Sequence, residues 1–164
     1  MDRLVLPDEV TRHAGLTMMQ AASIASVLGE EELICPFAVI SKGPDRQSVA
    51  FESETQDEAV SKGWASLEEW KGEIDLWAFA REGLVATPEG KVDVLVVAAW
   101  GPMMNEPVVF TQRFLPSTKG GFALLGPIEI QDLPVAELDR VAEAFSAGIA
   151  EHPKGGKWFE WKRA

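Results

Sequence analysis

From residue 76 to residue 130 the chain reads LWAFAREGLVATPEGKVDVLVVAAWGPMMNEPVVFTQRFLPSTKGGFALLGPIEI, and this stretch decides the fold. Apolar residues recur at every second position, the period of a pleated strand and not of a helix. Four strands are expected, over residues 76–85, 91–100, 107–115 and 121–130. The separators (TPEG, GPMMNE and PSTKG) are built from turn-forming residues. Connections this short join antiparallel neighbours, so the expected arrangement is a four-strand meander.

Upstream, residues 35–42 (CPFAVISK) and 47–54 (QSVAFESE) read as two more strands turned by Gly43-Pro44-Asp45-Arg46, a hairpin. A helix follows, with Thr55 and Glu58 in a capping box, and Val60, Trp64, Leu67 and Trp70 or Lys71 spaced along one face. An earlier helix is expected from Thr17, where Gln20 completes a second capping box and Met18, Ala21, Ile24, Ala25 and Leu28 recur. Gly29 is placed to end it. Glu30-Glu31-Glu32 then reads as a solvated loop, since negative charge is disfavoured at a helix C-terminus. A last helix follows Asp132 and Pro134, with Leu138, Val141, Ala142, Phe145 and Ile149 on one face and stop signals at Gly148 and then His152-Pro153.

The expectation is an α+β fold of order α-β-β-α-β-β-β-β-α. A single antiparallel sheet of about six strands would carry its helices mainly on one face. That order is similar to the one in roadblock and profilin-like small domains, with one strand more. The resemblance is of element order alone and implies nothing about activity.

At 164 residues the chain is expected to form one domain, residues 1–164, with an N-terminal extension over 1–15 and a basic, Trp-rich tail over 152–164. There are 26 acidic against 15 basic residues, for a net charge of -11. Such a balance argues against nucleic acid and against an anionic membrane as partners. No apolar run approaches the ~20 residues of a bilayer span, and none follows the charged N-terminus as in a signal peptide. A cytoplasmic location is the resulting expectation. The charge is uneven: residues 30–75 are strongly acidic, while Lys154, Lys157, Lys162 and Arg163 make the tail basic.

The chemistry-bearing motifs are few. Neither glycine pattern of a phosphate-binding loop occurs. His13 and His152 lie at opposite ends and Cys35 is the single cysteine, so no metal site and no cofactor are expected. Cys35, beside Pro36 and Phe37, reads as a buried and unreactive thiol. Glu52 and Glu54 would project from one face of a strand at a spacing open to glycosidase-type acid–base work, with tryptophan available for stacking. A solvated strand face is the simpler reading of the same pair. Trp64, Trp70, Trp77 and Trp100 fall on apolar faces and read as core.

Two sets of residues point toward binding. Arg81, Asp93, Arg113 and Glu129 form a mixed-charge stripe on the meander if the registers align, a surface for a subunit or a small anion. Trp158, Phe159 and Trp161 sit in a charged tail, where they must dock on their own sheet or on another copy. The function expected is therefore a non-enzymatic intracellular binding module, a homodimer or the partner of another protein. A small acidic domain suits the masking of a basic protein, as in immunity proteins and secretion chaperones. The alternatives are a carboxylate-dependent hydrolase using Glu52 and Glu54, and an anion sensor using Arg81 and Arg113.

Overall fold

The computed structural model describes residues 6–29 and 32–163. Its frame is one sheet of β1 (Phe37–Lys42), β2 (Asp45–Ala50), β3 (Leu76–Thr87), β4 (Gly90–Trp100), β5 (Val108–Leu115), β6 (Ala123–Ile130) and β7 (Lys162–Arg163). The strand order is β2-β1-β3-β4-β5-β6-β7. The helices are α1 (Asp8–Ala25), α2 (Gln56–Glu69), α3 (Leu138–Glu151) and the short α4 (Gly156–Trp161). An α+β fold on one sheet is what the alternation of apolar residues led us to expect. The sheet is nevertheless mixed: β1 to β6 pair antiparallel, but β7 lies parallel to β6 through Leu124 and Leu125. The six-strand, wholly antiparallel expectation is thus corrected by a seventh strand supplied by the tail, and the element order gains α4 and β7.

The hairpin turn is tighter than expected. Lys42 pairs with Asp45, leaving Gly43 and Pro44 as the only linking residues. Gly43 has φ 57°, a left-handed conformation that suits glycine. With the turn this short, β2 begins at Asp45 and ends at Ala50.

Helices cover both faces of the sheet, not mainly one. Leu76–Ala80 is apolar at every position, so both faces of β3 need cover there. Ala78, Ala80, Leu95, Val97, Ala99 and Phe110 face α1 and α3 in the larger core. Trp77, Phe79, Ala38 and Ala98 face the other way, against Phe51 and Leu67 beneath α2. Thr55 starts α2 as expected, its Oγ1 accepting from the Glu58 N–H at 3.1 Å. Gly63 lets that helix close on the sheet, since a side chain there would strike the Phe79 ring.

The first helix starts at Asp8, within the segment expected to be an extension. Pro7 stands extended before it, and Asp8 and Glu9 occupy the first turn, where the helix dipole favours them. Thr17 caps nothing. It is buried mid-helix and donates to the His13 carbonyl at 2.9 Å, while Gln20 reaches Ser48 at 3.1 Å. The helix ends at Ala25, before Gly29. Glu30 and Glu31 of the expected solvated loop lie outside the described residues. In the last helix Val141, Phe145, Gly148 and Ile149 are buried, but Ala142 and Leu138 are exposed.

The tail docks on its own chain. Trp158 is buried against Phe145, with ring centroids 6.4 Å apart, and Trp161 meets Phe122 edge-on at 4.9 Å. Gly155 makes this corner by close approach to the Ile149 carbonyl.

Candidate functional site

The carboxylates singled out in sequence lie past the end of β2, so strand geometry does not set their spacing. Glu52 and Glu54 are exposed on the link to α2, along a shallow depression of about 380 Å³ that also touches Cys35 and Thr55. Cys35 itself is exposed, contrary to its reading as buried. Partial desolvation, and then the neighbouring Glu52 charge, still push its thiol up.

Pairing register divides the expected mixed-charge stripe. Arg81 is opposite Val96, Val94 is opposite Arg113, and Thr111 is opposite Glu129. These positions share the α2 side of the sheet. Asp93 has the other parity and lies on the α1 side. Arg113 is paired with Glu129 at 3.3 Å, whereas the Arg81 guanidinium turns to the Glu82 carbonyl at 3.3 Å. The two cations therefore serve different acceptors with β4 between them. Of the tail aromatics, Trp158 and Trp161 are occupied within the chain and Phe159 is 65% exposed.

Asp93 belongs instead to a cavity of about 380 Å³ at the end of α1, with Leu28, Glu32, Glu82, Ser117 and Lys119. Glu82 accepts from the Ile34 N–H at 3.0 Å. Burial pushes its carboxyl up and the Asp93 charge adds to the effect, while the Ile34 hydrogen bond opposes it. Among the described residues no group of three or more His, Cys, Asp or Glu side chains is placed to hold a metal ion. No described helix is long and apolar enough to cross a membrane.

A cleft walled by tryptophan was not expected. Trp64 from α2, Trp77 from β3 and Trp100 from β4 meet at one end of the sheet, with Leu67, Glu68, Lys71, Asn105 and Pro107 around a cleft of about 190 Å³. Trp77 and Trp100 are directly opposed across the β3–β4 pair and lie near-parallel, centroids 6.4 Å apart. Trp64 stands edge-on to Trp77 at 5.5 Å and to Phe79 at 5.2 Å. The Trp100 indole N–H donates to the Met104 carbonyl at 2.9 Å, which fixes that wall. The Lys71 ammonium lies 5.9 Å from the Trp100 ring centroid. Trp64 is 39% exposed, so its reading as core is corrected: one side packs and the other forms the cleft.

Beside the cleft, the α2 side of the sheet continues with no helix over it among the described residues. Val96, Val109, Thr111 and Arg113 are half-buried there, and Glu129 is exposed. The apolar centre and charged margin of this face were partly legible in the alternation of β4 and β5. The cleft was not, because its three tryptophans come from separate elements whose ends had to be brought together. Compared with family models, with curated protein sequences and with solved structures, the chain matches none.

Proposed function

We propose that the chain is a non-enzymatic association module that pairs with a second copy of itself through the sheet face left uncovered beyond α2. The observation that carries this reading is the row Arg81, Val96, Thr111 and Glu129, with Arg113 beside it, brought to one face by the strand register. β-branched residues at its centre suit sheet-on-sheet packing, in which two faces meet roughly 10 Å apart. A two-fold axis through such a patch makes it self-complementary, so Arg113 of each copy can reach Glu129 of the other. The net charge of -11 opposes that approach, and the arginines at the margin offset it locally.

The size of the patch sets the strength. Four strands span roughly 20 Å, so the contact would bury on the order of 800 Å² in total, below the ~1,200–2,000 Å² of stable complexes. The dimer should therefore dissociate on dilution. An NMR dilution series tests the reading: amide signals of Val96, Thr111 and Arg113 should shift with concentration while those of β2 stay fixed. Shifts confined to other surfaces, or none, would contradict it.

A further inference from the structure

We propose that the Trp64–Trp77–Trp100 cleft receives a lysine or arginine side chain from a basic segment of another protein. The inference goes beyond self-association and uses a different part of the surface.

Size and lining restrict the occupant. About 190 Å³ is smaller than the ~300–1,000 Å³ of sites for drug-sized ligands. It suits one long side chain, whose methylene stem can lie along indole while its charged head stays at the rim. Trp64 offers such a wall at 39% exposure.

Charge selects the sign of the occupant. Glu68 and Lys71 both line the cleft, and Glu69, Glu73 and Glu106 are exposed in the segments that flank the lining residues, so the local balance is acidic. The end of α2 adds to this field. Its last turn carries Glu68 and Glu69 and no basic residue, so two carboxylates sit where the helix dipole is already negative. The free protein holds that unfavourable arrangement, and an incoming cation relieves it. An anion would meet repulsion from both sources.

The chain also shows a cation at this wall. The ammonium of Lys71 lies 5.9 Å from the Trp100 centroid, within the range of cation–π attraction. A partner's lysine or arginine would use the exposed Trp64 wall of the cleft in the same way, with Glu68 as its counter-ion. Lys71 is then a competitor, and its removal should strengthen binding.

The test is a tryptophan-fluorescence titration of the full chain at low concentration, where the protein is monomeric. The probes are three end-blocked homotetrapeptides, one of arginine, one of lysine and one of glutamate, with glucose as a neutral ring. The arginine and lysine peptides should bind saturably and weaken with added salt. Glu68→Gln and Trp64→Leu should each weaken binding by about tenfold, a difference of about 1.4 kcal/mol. Glu68→Gln is an exposed change that leaves the fold alone, so its result stands even if Trp64→Leu unfolds the helix. Lys71→Ala should tighten binding. Equal affinity of wild type and Glu68→Gln would show only diffuse attraction to an acidic protein and overturn the proposal. Preference for glucose or the glutamate peptide would overturn it too. A chain that binds the arginine peptide yet never dimerises would leave this inference standing and defeat the self-association reading.

Discussion

Gly148 of α3 lies directly against the backbone carbonyl of Arg12 in α1, so closely that a β-carbon at position 148 would overlap it. The contact is reciprocated one turn further on, where Gly15 of α1 meets the Phe145 carbonyl of α3. Two glycines thus set how near the helices approach, and the obstacle in each case is backbone, which cannot swing aside. Gly148→Ala should destabilise the fold by about 3 kcal/mol, at the upper end of overpacking effects. Gly72→Ala, with nothing within 4 Å of the new methyl, is the control and should be neutral or slightly stabilising. Urea unfolding of the two variants compares them.

Gly148 also shows where sequence reading reached its limit. In sequence it resembles a helix stop, because glycine weakens a helix, and only the neighbouring helix reveals its packing role. The first half of α1, before Thr17, is hidden for a related reason: its buried residues include Thr11, His13 and Gly15, which an apolar period does not count. Where burial alternates residue by residue, as in β5 with its buried and half-buried positions, position and type were both legible. The placement of α2 across the sheet from α1 could have been suspected from the unbroken apolar opening of β3. The cleft could not, since Trp64, Trp77 and Trp100 are separated by 13 and 23 positions and converge only through α2 packing and the β3–β4 register.

Half-exposure of Trp64 sets the scale of its contribution. Trp64→Ala should cost about 1–2 kcal/mol, well short of the ~3–5 kcal/mol of a fully enclosed aromatic. Phe79→Ala, 2% exposed beneath the same helix, should show the full loss. Thermal unfolding of both variants provides the comparison, and equal losses would mean that Trp64 is enclosed.

Acid should loosen the contact between α1 and β1. The ring of His13 is buried and its Nε2 donates to the Val39 carbonyl at 2.7 Å. Burial lowers its pKa below the usual 6.5, although the Val39 bond pulls the other way; Arg46 lowers it further and Glu151 raises it. With the folded-state pKa depressed, the unfolded chain binds the proton more readily. Stability from this group is therefore full above pH 6.5 and is lost as pH falls through the folded-state value. Glu82, raised by burial, has the opposite sign and offsets part of the loss at lower pH. Unfolding free energies measured against pH should decline more steeply in the wild type than in His13→Gln, and parallel profiles would remove His13 from the explanation.

The tail should matter for stability and not for assembly. Trp158 is 3% exposed against Phe145, so Trp158→Ala should cost about 3–5 kcal/mol. Phe159→Ser, at an exposed position of the same helix, should change little. Light scattering beside thermal melts separates the two effects: a mass that falls in the Trp158 variant while its melting temperature holds would place the tail on a second copy.

Sedimentation equilibrium of the wild-type chain and of Val96→Glu most directly tests association through the uncovered sheet face. Val96 is half-buried at the centre of that face, so a carboxylate there leaves the fold intact and confronts its own copy across the two-fold axis. The account predicts a wild-type mass that rises toward twice 17.9 kDa with concentration, and a Val96→Glu chain that stays at 17.9 kDa throughout. A wild-type chain that remains monomeric at every concentration, or a dimer that the substitution does not disturb, would contradict it.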